Sequence, residues 1–160
     1  GRLPLPPAGV RDRNPSEVLH AARIAGTLEV YALSEGVCPR CSGTIEQTVS
    51  VCDDHTTGET LCENCQSRYA TGVSFTCTNC IYKAGGGGGL ALLTADAFVE
   101  FLVDHGLNPI GLDSMTAVNR AHQNYDETVL STDPLRVEYT FHIDGDSLSL
   151  TVDDDLRIIE

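Results

Sequence analysis

The chain has 160 residues, enough for one domain or two small ones with a modest core. Its 23 acidic residues against 10 Lys and Arg give a formal charge of −13, which repels nucleic-acid phosphate and excludes an unaided grip on DNA. No apolar run approaches the roughly 18 residues of a membrane span, and no basic-then-apolar signal segment opens the chain, so a soluble cytoplasmic protein with no membrane partner is expected.

Nine of the ten cations are Arg, with Lys83 as the single Lys. The acids are spread along the chain, with small clusters such as "DDD" at 153–155, and the apolar patterning is that of a folded domain. A folded, acidic, Lys-poor chain points to a salt-rich cytosol, where screening relieves the self-repulsion of such a surface; a halophilic origin is expected.

In chain order, residues 1–13 hold three prolines and no period, and read as an extended arm. Asn14 as cap, Pro15 at the first helical position and Glu17 three after the cap mark a helix start. Val18, Ala21, Ile24, Ala25, Leu28 and Tyr31 recur at helical spacing, so the helix is expected to run to about Leu33 and to end at Gly36. Residues 37–84 hold every cysteine. "AGGGGGL" at 84–90 reads as a flexible connector or tight turn; with no downstream Lys-Ser or Lys-Thr it is not a phosphate loop. "LTADAFVEFLVDHG" predicts a second helix, capped by Thr94, with Phe98, Phe101 and Leu102 on its apolar face and Gly106 at its end. "SMTAVNRAHQN" predicts a short helix. From Glu127 the period becomes two: Leu135, Val137, Tyr139, Phe141 and Ile143 share a face, "DGD" at 144–146 signals a hairpin, and Leu148, Leu150 and Val152 follow. The expected architecture is α+β: an N-terminal arm and helix (1–36), a double zinc-knuckle β module (37–84), and a Gly-rich connector followed by a helix packed on an antiparallel meander (85–160).

The most specific signal is a set of four ligand pairs of identical spacing: Cys38/Cys41, Cys52/His55, Cys62/Cys65 and Cys77/Cys80. His55 gives the seventh cysteine, Cys52, a partner. Two intervening residues let both side chains of a knuckle turn toward one ion while backbone amides stabilise the thiolates. Eight ligands fill two closed tetrahedral sites, and thiolate with imidazole favours zinc. With no position left open for water the two ions are expected to be structural, each contributing on the order of 10 kcal/mol to folding.

Two ways of sharing the ions follow from the loops. A crossed arrangement joins Cys38, Cys41, Cys62 and Cys65, and separately Cys52, His55, Cys77 and Cys80. A tandem arrangement joins the first pair to the second and the third to the fourth. "TIEQTVSV" alternates without a turn residue, so it reads as a strand that carries Cys52 about 26 Å away from Cys41, which favours the crossed form. The crossed order resembles the spacing of cross-braced RING-type modules, but the six residues between His55 and Cys62 exceed that pattern, and no ligase activity follows. His20, His105, His122 and His142 have no partner at ligand spacing, and no nucleophile–base constellation or nucleotide motif is present. No catalytic or cofactor-binding residue is therefore expected beyond the metal ligands, and the chain reads as non-enzymatic.

"LPLPPAGVRDRNPSEVLHAA", "GVCPRCSGTI", "VCDDH", "CTNCIY", "FLVDHGLNP" and "STDPLRVEYTFHIDGDSLSLTVDDDL", taken in this order, resemble the C-terminal region of haloarchaeal winged-helix transcriptional regulators of the ArsR-like type. In that family a winged-helix DNA-binding domain lies upstream; this chain has no helix-turn-helix pattern and no basic recognition helix. The resemblance implies an interaction, dimerisation or signal-sensing half of a regulator. DNA would be reached only through the upstream domain, and a homodimer would form through the helical stripe at 18–31. A stand-alone zinc-binding adaptor and a redox or metal sensor are the alternatives.

Overall fold

The computed structural model describes residues 5–56, 61–109, 111 and 115–159, without the side chains of Met115, Asn119, His122 and Gln123. Helices α1 (Pro7–Val10) and α2 (Pro15–Ser34) come first. The arm expected to be extended thus holds one helical turn; its first four residues lie outside the described ones. Asn14 caps α2 as its sequence requires. Its side chain accepts from the Glu17 N–H at 3.0 Å, and the Glu17 carboxylate accepts from the Asn14 N–H at 2.8 Å. Gly36, at φ +70°, turns the chain out of the helix.

Only the C-terminal end of α2 is anchored, with Leu33 its one buried residue. The Tyr31 hydroxyl donates to the Pro109 carbonyl (3.1 Å), the Ser34 hydroxyl to that of Leu90 (3.3 Å), and the Tyr82 hydroxyl to the Glu29 carboxylate.

Strands β1 (Ile45–Val51), β2 (Thr71–Cys77) and β3 (Lys83–Gly87) form an antiparallel sheet in that order. Ile45 pairs with Cys77 and Val51 with Thr71. Ile45, Val73, Phe75 and Cys77 pack with Leu33 and Cys38 into one hydrophobic cluster. The expected connector is therefore mostly structure: its first four residues lie in β3, paired with β2, and Gly88–Leu92 form a 3₁₀ helix. The glycines serve close approach. A Cβ on Gly88 would overlap the Tyr139 and Thr71 hydroxyls, and one on Gly89 would press into the Tyr125 ring.

Helices α3 (Asp96–Asp104) and α4 (Met115–Gln123) lead to strands β4 (Asp126–Thr132), β5 (Leu135–Ile143) and β6 (Asp146–Val152), a second antiparallel sheet in chain order. Thr94 does not cap α3. The 3₁₀ turn is followed by a bond from the Ala95 N–H to the Leu92 carbonyl (3.1 Å), so Ala95 takes the cap position and Asp96 supplies first-turn negative charge. Asp144 and Gly145, both at positive φ, make the two-residue turn between β5 and β6. Val137, Tyr139, Phe141, Ile143, Leu150 and Val152 bury their face against Phe98, Leu102 and Val118 of the helices in the second cluster. The fold is α+β, with two three-stranded sheets and a cysteine-rich end on each side of the first.

Candidate metal centres

The β1–β2 hairpin decides which ligands meet. The first pair, Cys38 and Cys41, precedes β1; Cys52 and His55 follow it. Cys62 and Cys65 precede β2; Cys77 closes it and Cys80 follows. Because β2 runs back against β1, the chain before β1 meets the chain after β2, and the chain after β1 meets the chain before β2. Cys38, Cys41, Cys77 and Cys80 form one group and Cys52, His55, Cys62 and Cys65 the other, with the ligand atoms of each group within 4.8 Å of one another.

This nested pairing replaces both the crossed and the tandem arrangements. The strand inference was sound, since β1 does carry Cys52 away from Cys41. What it lacked was the return path: antiparallel pairing brings the third pair beside the second, not the first.

In the outer centre, the Cys38 and Cys80 sulfurs are 3.8 Å apart and those of Cys41 and Cys77 3.5 Å. Bonds of roughly 2.3 Å to a tetrahedral ion require an edge of about 3.8 Å, far longer than a disulfide. The knuckle is built by backbone bonds: the Cys38 N–H donates to the Gly43 carbonyl, Ser42 N–H to Cys38 and Thr78 N–H to Thr44. Asn79 donates through its backbone to Cys77 Sγ (3.4 Å) and through its side chain to Cys41 Sγ (3.6 Å). The Asn79 side-chain bond first, and a backbone bond from Gly43 next, lower the Cys41 thiol to about 6. A backbone bond from Tyr82 favours the Cys80 thiolate, yet burial and three neighbouring thiols push Cys80 up to about 12.

In the inner centre, His55 Nδ1 lies 3.4 Å from Cys65 Sγ, so Nδ1 is its ligand atom. The other ring nitrogen, Nε2, is 3.2 Å from the Arg68 carbonyl, an acceptor that fixes the tautomer and aims the ring. Asn64 ties the second knuckle to the third by donating to the Asp54 carbonyl at 3.0 Å. Cys62 is fully buried and is held near 5 by amide donors, those of Cys65 and Thr56 foremost. Cys52 is pushed up to about 11 by desolvation and by the neighbouring thiols of Cys65 and Cys62. The donor sets, four sulfurs in one case and three with an imidazole in the other, fit a metal ion in each.

All eight expected ligands are brought together. Sequence reasoning missed the supporting groups Asn79, Asn64 and the Arg68 carbonyl; Asn79 and Asn64, each just before the second cysteine of its knuckle, carried a local signal. Among the other histidines, His105 Nε2 lies 3.2 Å from Asp146 and His142 Nε2 2.8 Å from Asp126, while the side chain of His122 lies outside the described residues.

A model for a domain of unknown function (DUF7351) matches residues 1–158. The chain belongs to this family. The match spans both centres and both sheets as one unit, from the first helix to the end of the meander. No curated protein and no solved structure matches the chain. Among the described residues no helix is long and apolar enough to cross a membrane.

Proposed function

We propose that this DUF7351 chain is a zinc-stabilised, non-enzymatic interaction and dimerisation domain, the C-terminal half of a haloarchaeal transcriptional regulator. Zinc is the ion proposed for both centres, because closed sites of thiolate and imidazole suit a borderline-soft ion with no geometric demand of its own. The resemblance of arm, knuckles and tail to winged-helix regulators supports the reading, and the charge of −13 is consistent with DNA contact being made by a separate domain in a salt-rich cytoplasm.

The observation that carries the reading is an exposed apolar stripe along α2. Leu28 is 63% exposed and stands in line with Ile24 and Ala21, one and two turns back on the same face of the helix. The groove between α1 and α2 is lined by Leu5, Pro6, Ala21, Ile24 and Leu28, with Arg13 and Glu17 at its polar rim. An apolar stripe on an anchored helix suits a second copy of the same helix, because regulators that read palindromic sites are two-fold dimers.

Sedimentation of the full chain in molar potassium chloride tests this. The expected species is a dimer that Leu28→Asp converts to a folded monomer, since so exposed a side chain is not needed for the monomer's own core. A wild-type chain that sediments as a monomer at all concentrations would refute it.

A further inference from the structure

The two centres are embedded differently. In the outer one, Cys38, Cys77 and Cys80 pack in the cluster with Leu33, Ile45 and Phe75. None of the inner ligands belongs to either hydrophobic cluster, and only Cys62 is buried. The inner ligands instead lead straight into the contact between the two sheets. Arg68, whose carbonyl meets His55, reaches the Asn124 side chain at 3.2 Å. Tyr69 stacks on Tyr125 with ring centroids 4.1 Å apart. The Ala70 and Thr71 N–H groups both donate to Glu127 Oε1, at 2.7 and 3.1 Å, and the Thr71 hydroxyl bonds Glu127 and Tyr139. Four consecutive residues, 68–71, thus join the inner centre to β4, β5 and the end of α4. A cleft of about 630 Å³ lies along this joint, with Cys52 and His55 on one wall and Glu127 and Val129 on the other.

We propose that the inner centre is a metal-responsive joint: its ion exchanges while the outer ion stays, and its occupancy sets how the knuckle module meets the second sheet. This deepens, and rests on, the zinc-domain reading, and names the input of a signal-sensing half as a thiophilic divalent ion. The physical basis is leverage. Three of the four outer ligands pack in a hydrophobic cluster, so losing that ion disturbs a core even though Cys41 is exposed, whereas at the inner centre the ion can leave by loosening polar contacts, and residues 68–71 then lose the carbonyl anchor that holds them to His55.

The test is a chelator titration of the full chain loaded with two zinc equivalents, followed by metal analysis and by backbone amide resonances. One equivalent should leave first, with amides of 52–55, 62–71 and 124–129 shifting together while those of 38–44 and 78–82 hold. Glu127→Gln keeps all eight ligands but weakens the joint; it should release the first equivalent at several-fold lower chelator and leave the second unchanged. Loss of both equivalents in one step, prior loss from the outer centre, unmoved amides at 124–129, or a silent Glu127→Gln would each overturn the joint and leave the structural-zinc reading standing. A chain that binds fewer than two equivalents would overturn both.

Discussion

Single residues in this chain are constrained by neighbours far away in sequence. Gly88 is fixed by Tyr139 and Thr71, whose hydroxyls sit 2.7 Å apart just where a Cβ would stand. Gly88→Ala should cost about 1–3 kcal/mol, the usual penalty of overpacking, read as a lower midpoint in denaturant. Tyr139→Phe placed on top should recover part of that loss, because the nearer of the two offending oxygens is gone; equal and additive losses would show that the overlap is not the cause. His105 offers a second test. The Phe101 carbonyl, 2.7 Å from Nδ1, and then Asp146 raise its pKa above the ordinary 6.5. A group raised in the fold stabilises fully below its unfolded value and loses that contribution as pH climbs through its folded one. Stability should therefore fall as pH rises above 6.5, and His105→Gln should flatten that slope in thermal melts taken across the range.

At the scale of elements, α2 depends on its ends, since only Leu33 is buried along its 20 residues. Asn14→Ala, which removes the capping box, should cost about 1 kcal/mol and fray the first turns, seen as lost amide protection over 15–20 with the sheets untouched. The same element shows how much was legible in advance. Cap, first proline and terminal glycine are local chemistry, and α2 begins and ends where Asn14, Pro15 and Gly36 dictate. The meander was readable for the same reason: Val137, Tyr139, Phe141 and Ile143 alternate, and Asp144-Gly145 turns. The glycine run was not, because its meaning lies in Tyr125 and Tyr139, far along the chain, which leave no room for side chains. Nor was the sharing of ligands. Spacing identified Cys52 with His55 as a pair, but which pair faces which depends on strand direction, and two alternating strands read alike whether the chain returns parallel or antiparallel. Thr94 failed as a cap because a 3₁₀ turn, invisible as a period, moves the cap of α3 one residue on, to Ala95.

For the whole molecule the dominant quantity is charge. At −13, with the acids spread over the surface, like-charge repulsion opposes the compact state, and salt should relieve it. The melting temperature of the metal-loaded chain should rise from low to molar potassium chloride; a flat or falling curve would remove the case for a salt-rich origin. The nested centres give the molecule another global property. The hairpin is the same phrase written twice, ligand pair, strand, ligand pair, and an antiparallel couple of strands has a two-fold axis across it. Each copy of the phrase gives two ligands to each centre, so neither copy owns a complete one. One phrase alone could close a tetrahedron only by meeting its own duplicate head to tail. The middle of this chain is, in its coordination pattern, a pseudo-symmetric dimer of short peptides that share one backbone, with His55 standing where the other copy has Cys80.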